Sequence, residues 1–272
     1  MESPVLESVK HVVAVASGKG GVGKSTVTVN LALAMAAEGH RVGLLDADIY
    51  GPSQAQMLGI APGTRPSMVD DQTMRPVEAH GLKAMSMAML VDIETAMVWR
   101  GPMVSGAFQQ LLTQTEWGEL DYLFIDMPPG TGDIQLTLSQ KVPVTGSVIV
   151  TTPQDIALLD ARKGIEMFRK VNVPVLGVVE NMSLHTCSNC GHTEHIFGEG
   201  GGEKIAAQYE TEMLGQLPLA LSIREQVDGG RPTVVAEPEG EVAMTFRRMA
   251  SRIDEQLTTK GTPDGPSISF GE

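Results

Sequence analysis

Short apolar runs alternate with helical patterns along most of the chain. The first apolar run covers residues 11–16 and predicts a strand. Apolar residues at helical spacing follow it, at Val27, Leu31, Ala34 and Met35. Further strands are predicted at 41–45, 82–87, 122–126, 147–151, 175–179 and 213–216. Strands that alternate with helices favour an α/β fold, with a mostly parallel central sheet and helices on both faces.

Four further helices are predicted from turn residues and apolar spacing. They are expected at about 99–115, 155–171, 200–209 and 242–257. Residues 59–80 are rich in Pro, Gly and polar side chains, which predicts a loop with a small hairpin. The last predicted helix carries an apolar stripe, which favours docking on the core over membrane binding as an amphipathic helix. The stripe consists of Val242, Phe246, Met249, Ile253 and Leu257.

A glycine-rich loop joins the first predicted strand to the first predicted helix. Residues 18–25 match the pattern G-x-x-x-x-G-K-[ST], in which backbone N–H groups surround a phosphate at a helix N-terminus. We expect Lys24 on the β- and γ-phosphates of ATP, Ser25 on Mg²⁺ and Thr26 near the α-phosphate. A glycine turn without a ligand is the alternative, but it leaves a cation at a helix N-terminus, where positive charge is unfavourable. The predicted nucleotide contacts are Gly18, Lys19, Gly20, Gly21, Val22, Gly23, Lys24, Ser25, Thr26 and Asn181.

A second lysine, Lys19, lies near the start of this loop. The loop therefore resembles the deviant Walker A motif of the SIMIBI class of P-loop NTPases, which includes MinD, ParA and the nitrogenase iron protein. In that class the early lysine contacts the nucleotide of the partner subunit. The resemblance implies a homodimer and a catalytic role for Lys19. A solvated lysine at the tip of a loop is the alternative.

Four polar side chains follow predicted strands, where open α/β sheets bind ligands. Asp48 resembles the switch I aspartate of the related ATPases, which implies that it orients the attacking water. Asp46 is expected to support the magnesium shell, although a pair of helix-capping aspartates is an alternative. Asp126 ends an apolar strand in the Walker B arrangement and is expected to hold a magnesium-bound water. Asn181 lies where its amide could contact adenine, or it forms a turn.

The chain has two cysteines, Cys187 and Cys190, which are separated by two residues in a polar loop. This spacing suits one metal site, but tetrahedral thiolate sites need four ligands. One chain supplies half of such a site, and a twofold dimer would supply the other half. An intrachain zinc site completed by His185, His192 or His195 is one alternative. Two free thiols in a loop are another.

Composition excludes several classes of function. Lys+Arg 20 against Asp+Glu 33 gives a net charge of −13, so neither nucleic acid nor an anionic membrane is an expected partner. No apolar run approaches the ~18 residues of a membrane span, and no signal peptide is visible, which predicts a cytoplasmic protein with reduced thiols. We expect one ATPase domain over residues 1–258, with a disordered tail at 259–272.

Five motifs together resemble the Mrp/ApbC family of iron–sulfur cluster carriers, over about residues 10–258. The resemblance implies a homodimer that binds a [4Fe–4S] cluster at Cys187 and Cys190, transfers it to apo-proteins, and needs ATP binding and hydrolysis. Many bacterial members carry an extra N-terminal domain, whereas this chain begins almost at the first predicted strand, which puts a contribution of that domain to client choice in doubt. A regulatory or spatial-organising ATPase of MinD or ParA type, with zinc or no metal at the thiols, is the alternative. The motifs lie at 19–26, 46–53, 126–133, 180–183 and 187–190.

Overall fold

Two strands of the central sheet end at Asp46 and Asp126, and Asp48 and Asn181 lie just beyond strand ends. The structure is a computed structural model that describes residues 6–90 and 101–259. The strands are β1 (Val9–Ala16), β2 (Val42–Asp46), β3 (Ser67–Met68), β4 (Met74–Arg75), β5 (Val77–Ala79), β6 (Leu82–Ser86), β7 (Leu120–Asp126), β8 (Gly146–Thr151), β9 (Val175–Glu180), β10 (His185–Thr186), β11 (Thr193–Glu194) and β12 (Met213–Gln216).

Helices connect most of these strands. One 3₁₀ turn, Met87–Met89, directly follows β6. The α-helices are α1 (Lys24–Ala37), α2 (Gln54–Met57), α3 (Gly101–Thr113), α4 (Asp133–Lys141), α5 (Asp155–Lys170), α6 (Gly201–Gln208), α7 (Leu221–Asp228), α8 (Thr233–Ala236) and α9 (Glu241–Thr259).

Eight of the described strands form one sheet, in the order β12-β9-β8-β1-β7-β2-β6-β5. All neighbours in it are parallel except β5, which pairs antiparallel with β6. Asp46 of β2 lies beside Asp126 of β7, and Thr151 of β8 lies beside Glu180 of β9. The parallel register therefore brings the loops after these strands to one edge of the sheet.

Apolar side chains fill both faces of this sheet, because its central strands are buried on both sides. Phe108 of α3 and Ile165 of α5 belong to the core on one face. Leu31 of α1 and Phe246 of α9 belong to the core on the other face. The predicted α/β fold, with a mostly parallel sheet between layers of helices, is confirmed.

Helix α9 docks on the body of the protein, as its apolar stripe predicts. Phe246, Met249, Ile253 and Leu257 are buried, and α9 packs against α1. Val242 is only partly buried. Among residues 6–90 and 101–259, no helix combines the length and the apolar character that crossing a bilayer requires.

Several element boundaries differ from the sequence predictions. Strand β1 begins at Val9, before the predicted apolar run, and the hairpin expected within 59–80 is formed by β3 and β4. Helix α4 is not predicted, because apolar and polar residues alternate at 134–138 and do not show helical spacing. The predicted first residues of α3, at 99–100, and the predicted tail beyond Thr259 lie outside the described residues.

Candidate nucleotide site and thiol hairpin

The loop between β1 and α1 contains turns that favour glycine. Gly21 and Gly23 have φ of 80° and 82°, in the left-handed region that other residues rarely adopt. A Cβ atom on Gly23 would lie 2.2 Å from Nδ2 of Asn181, so a larger residue has no room there. Lys24 begins α1, and the loop therefore ends at a helix N-terminus, where backbone N–H groups can bind phosphate.

The ammonium group of Lys24 lies among carboxylates. Its Nζ is 2.5 Å from Oδ1 of Asp126 and 4.0 Å from Oδ2 of Asp48. The same Nζ donates to Oγ of Ser25 at 3.2 Å. Lys24 and Asp126 are both buried, so water does not screen this ion pair. The structure thus places four of the predicted site residues side by side.

Two further side chains hold the carboxylate of Asp126. Oγ1 of Thr28 donates to Oδ1 at 3.1 Å, and Nε2 of Gln54 donates to Oδ2 at 2.8 Å. Sequence analysis predicts neither residue. Thr28 lies about one helical turn after Lys24, and this spacing could have identified it. Gln54 follows a motif without belonging to it, so nothing in the sequence marks it.

Asp46, at the end of β2, shapes the loop that follows. Its carboxylate is fully buried, and this desolvation, together with the charge of Asp126, raises the pKa of Asp46. Its contacts fix the loop that carries Asp48 and the start of α2, while its role at a magnesium shell stays a prediction. The donors to Asp46 are the backbone N–H groups of Asp48, Ser53 and Gln54 and the hydroxyl of Ser86.

Asp48 lies in this loop, close to the ammonium of Lys24. The backbone N–H of Gly51 donates to its Oδ1 at 3.3 Å, which fixes the carboxylate. Burial raises the pKa of Asp48, and the nearby charge of Lys24 opposes that effect. A buried carboxylate with a raised pKa is a stronger base than an exposed one, which suits a group that accepts a proton from water.

Lys19 lies on the surface beside α5. Its Nζ is 3.4 Å from Oε1 of Gln154, the residue before the helix. Two apolar side chains of the first turns of α5 are exposed there, Ile156 at 70% and Leu159 at 53%. The two side chains give this surface an apolar patch beside Lys19, while the contact of Lys19 with a partner's nucleotide stays a prediction.

Asn181 contacts the phosphate loop directly. It follows β9, and its buried Nδ2 donates to the carbonyl oxygen of Val22 at 2.9 Å. The side chain therefore holds the turn that precedes Lys24. Its predicted contact with adenine stays a prediction.

The two thiols lie on a short hairpin formed by β10 and β11. The backbone N–H of Cys187 donates to the carbonyl of His192 at 2.8 Å, and that of Gly191 donates to the carbonyl of Cys187 at 2.9 Å. Cys190 is exposed, Cys187 is partly exposed, and neither is in a disulfide. Backbone N–H groups of Cys190 and Asn189 lower the pKa of the Cys187 thiol, which favours the thiolate that binds metals.

The histidines near the hairpin do not complete a metal site with these thiols. Nδ1 of His185 is 3.0 Å from the carbonyl oxygen of Leu219, and Nδ1 of His195 is 2.8 Å from that of Ser183. Within the described ranges, 6–90 and 101–259, no three or more His, Cys, Asp or Glu residues form a group that could hold a metal ion. Among those residues, a single chain in this conformation thus offers two thiols and no third His, Cys, Asp or Glu beside them.

Comparison with known proteins shows which family the chain belongs to. The model of a ParA-type family, described as NUBPL iron-transfer P-loop NTPases, matches residues 8–254. The chain belongs to this family. The match covers every element from the phosphate loop to the thiol hairpin, and the resemblance to iron–sulfur cluster carriers is confirmed.

Curated relatives of this NUBPL-type NTPase carry matching names. An iron–sulfur cluster carrier protein of Pseudomonas fragi is 70% identical, over 91% of this chain and 86% of its own length. A protein of the same name from Escherichia coli is 59% identical, over 98% of this chain and 72% of its own. The mouse iron–sulfur cluster transfer protein NUBPL is 51% identical, over 95% and 81% of the two chains.

Solved structures show the same fold. The nucleotide-binding protein of Archaeoglobus fulgidus in complex with ADP superposes with a TM-score of 0.76 at 39% identity, covering 89% of this chain and 93% of its own. The cell division ATPase MinD of Pyrococcus furiosus gives a TM-score of 0.69 at 23% identity, covering 91% and 99%. The MinD likeness supports the fold of this NUBPL-type NTPase and nothing beyond it.

Proposed function

We propose that the protein is a homodimeric ATPase that binds an iron–sulfur cluster between two thiol hairpins and delivers it to apo-proteins. One observation carries the proposal: an assembled phosphate-loop site coexists with a surface hairpin that offers two thiols and no third ligand from the described residues. The names of the relatives, iron–sulfur cluster carrier and transfer proteins, support the same function.

The side chains around Lys24 suit ATP with Mg²⁺. Hydroxyl, carboxylate and carboxamide oxygens of Ser25, Asp126 and Gln54 are the hard ligands that Mg²⁺ prefers, directly or through water. Ser25 and, through water, Asp126 would hold the ion. Bound there, Mg²⁺ would neutralise charge on the phosphates and so make the γ-phosphorus easier to attack.

Hydrolysis follows from the positions of Lys24 and Asp48. The phosphates of ATP, bound at the loop and the start of α1, would draw the ammonium of Lys24 away from Asp126. Asp48 holds a water molecule and takes its proton while the water oxygen bonds to the γ-phosphorus. The bond between that phosphorus and the oxygen of ADP breaks in the same step, and Lys24 stabilises the charge that develops.

Replacing Asp48 with asparagine is expected to reduce ATP hydrolysis about a hundredfold while ADP affinity changes less than threefold, because the amide cannot accept the proton. Hydrolysis by the natural protein should rise with pH through the pKa of Asp48, which is raised, since only the ionised form is a base. Phosphate release measured between pH 4 and 8 checks both points. A variant that hydrolyses ATP at the natural rate, with the same pH profile, contradicts the role of Asp48.

The cluster is the cargo of the protein. Two hairpins that face each other across a twofold axis supply four thiolates, the number that a [4Fe–4S] cluster requires. Exposure of Cys190 suits a cluster that must leave. The test is anaerobic reconstitution followed by transfer to an apo-form [4Fe–4S] enzyme, whose recovered activity reports delivery. Failure to hold or deliver a cluster would overturn the carrier function.

Dimer formation is proposed through the apolar patch beside Lys19. An aspartate in place of Leu159 is expected to weaken the ATP-bound dimer at least about tenfold, because a charge would be buried against the partner. Sedimentation velocity with ATP and Mg²⁺ measures the change. Leu221→Asp is the matched control, since Leu221 is 63% exposed on α7. Equal dimer stability in both variants would place the interface elsewhere.

A further inference from the structure

The carboxamide of Gln54 lies between the phosphate-loop helix and the Walker B strand. Its Nε2 donates to the carbonyl oxygen of Ser25 at 3.0 Å and to Oδ2 of Asp126 at 2.8 Å. Gln54 is 1% exposed, and its own backbone N–H donates to Oδ2 of Asp46 at 3.0 Å. The residue is therefore fixed at both its backbone and its side chain, which pre-organises the carboxamide.

The other end of this carboxamide has no partner. Oε1 of Gln54 is buried and accepts no hydrogen bond. Rotating the amide by 180° does not solve this, because both neighbours of Nε2 are acceptors and require a donor. A buried acceptor without a partner is unfavourable, so the position calls for a ligand that donates a hydrogen bond.

The surroundings identify the class of that donor. Oε1 shares its carbon with Nε2, and Nε2 bonds to Ser25 and Asp126, the two residues expected to hold Mg²⁺. Water bound to a divalent cation is a strong donor, and Mg²⁺ keeps several waters when it binds proteins. We propose that Gln54 is a positioning residue of the magnesium–nucleotide site, whose Oε1 accepts a hydrogen bond from a magnesium-bound water while its Nε2 holds Asp126.

Gln54 also acts on Asp126 when that carboxylate loses its ion pair with Lys24. Oδ1 of Asp126 accepts from Lys24 and Thr28, whereas Oδ2 accepts from Gln54. When the ammonium of Lys24 moves to the phosphates, Thr28 still donates to Oδ1 of Asp126 and Gln54 still donates to Oδ2. The carboxylate then keeps its orientation when its ion pair is lost. This inference rests on the proposed binding of ATP with Mg²⁺.

The test compares ADP affinity with and without Mg²⁺, which separates metal binding from folding. Affinity is measured by the fluorescence of methylanthraniloyl-ADP, first in EDTA and then in magnesium chloride. In Gln54→Met, which has similar length and no amide, the gain in affinity on adding Mg²⁺ should fall about tenfold. The affinity in EDTA should stay within about twofold of the natural protein.

One further variant makes the result specific. Gln226→Met is the control, because Gln226 on α7 likewise has Nε2 bonded to a carboxylate, that of Glu237, and Oε1 buried without a partner. Its gain should equal that of the natural protein.

The outcomes also separate this inference from the proposed function. If the natural protein binds ADP equally with and without Mg²⁺, the proposed magnesium–nucleotide site fails, and the role of Gln54 fails with it. If the natural protein gains affinity and Gln54→Met gains as much, only the role of Gln54 is overturned. Equal losses in EDTA and in Mg²⁺ show a merely structural role and overturn it as well.

Discussion

Replacing Lys24 with alanine is expected to lower the affinity for ADP and ATP about a hundredfold or more. The ammonium group is the cation that the buried site offers to the β- and γ-phosphates. The same substitution leaves the buried carboxylate of Asp126 without its ion pair, so it should also destabilise the protein by about 3–5 kcal/mol. Isothermal titration calorimetry measures the affinity, and thermal unfolding measures the stability.

A second variant keeps this prediction testable if the alanine variant unfolds. Lys24→Asn with Asp126→Asn removes both charges, leaves no unpaired carboxylate at position 126, and should fold but bind nucleotide as weakly. Lys10→Ala is the control, because Lys10 is exposed at the opposite end of β1. Nucleotide binding within threefold of the natural affinity in both Lys24 variants would contradict the assignment of the phosphate site.

Replacing Cys190 with alanine is expected to abolish cluster binding. A cluster shared by two hairpins would lose two of its four thiolates, one from each subunit, and two thiolates do not retain a [4Fe–4S] cluster. After anaerobic reconstitution with iron and sulfide, the natural protein should show visible absorption and one cluster per dimer, and the variant should stay colourless. Cys187→Ala should give the same result.

Ser188 provides the control for the thiol variants, because it lies between the two cysteines and Ser188→Ala removes no thiol. That variant should bind the cluster like the natural protein. One zinc per chain in a colourless natural protein would instead support the intrachain site with a histidine. If both cysteine variants perform the cellular function of the natural protein in full, the cysteines are dispensable, and the regulatory ATPase of MinD or ParA type is favoured.

Sequence reasoning predicts the sheet of this protein well, because strands buried on both faces leave uninterrupted apolar runs such as 12–16 and 122–125. It fails for α2 and α8, which are single turns too short to show a period. It also fails for α4, whose apolar residues alternate with polar ones. These helices form because the surrounding core and loops position them, and that information is not local.

The residues of the nucleotide site likewise fall into those that the sequence predicts and those that it does not. Lys24, Asp48 and Asp126 belong to motifs, so the sequence alone assembles them into one prediction. Gln54 cannot be predicted, since its importance arises from a distance of 2.8 Å to a residue 72 positions away. The hydrogen bond from Asn181 to Val22 depends likewise on the packing of the loop after β9 against the phosphate loop.

The turn at 181–183 has a consequence for how the two ends of the molecule communicate. Its first residue bonds to the phosphate loop through Val22, and its last, Ser183, lies within hydrogen-bonding distance of His195 on the thiol side. Three residues span at most about 10 Å, so the segment between these two contacts can extend very little. Since the chain has no cysteine apart from Cys187 and Cys190, a thiol-alkylating reagent modifies cysteines of the thiol hairpin only. The rate at which the two thiols are alkylated would therefore report whether a nucleotide is bound at the phosphate loop.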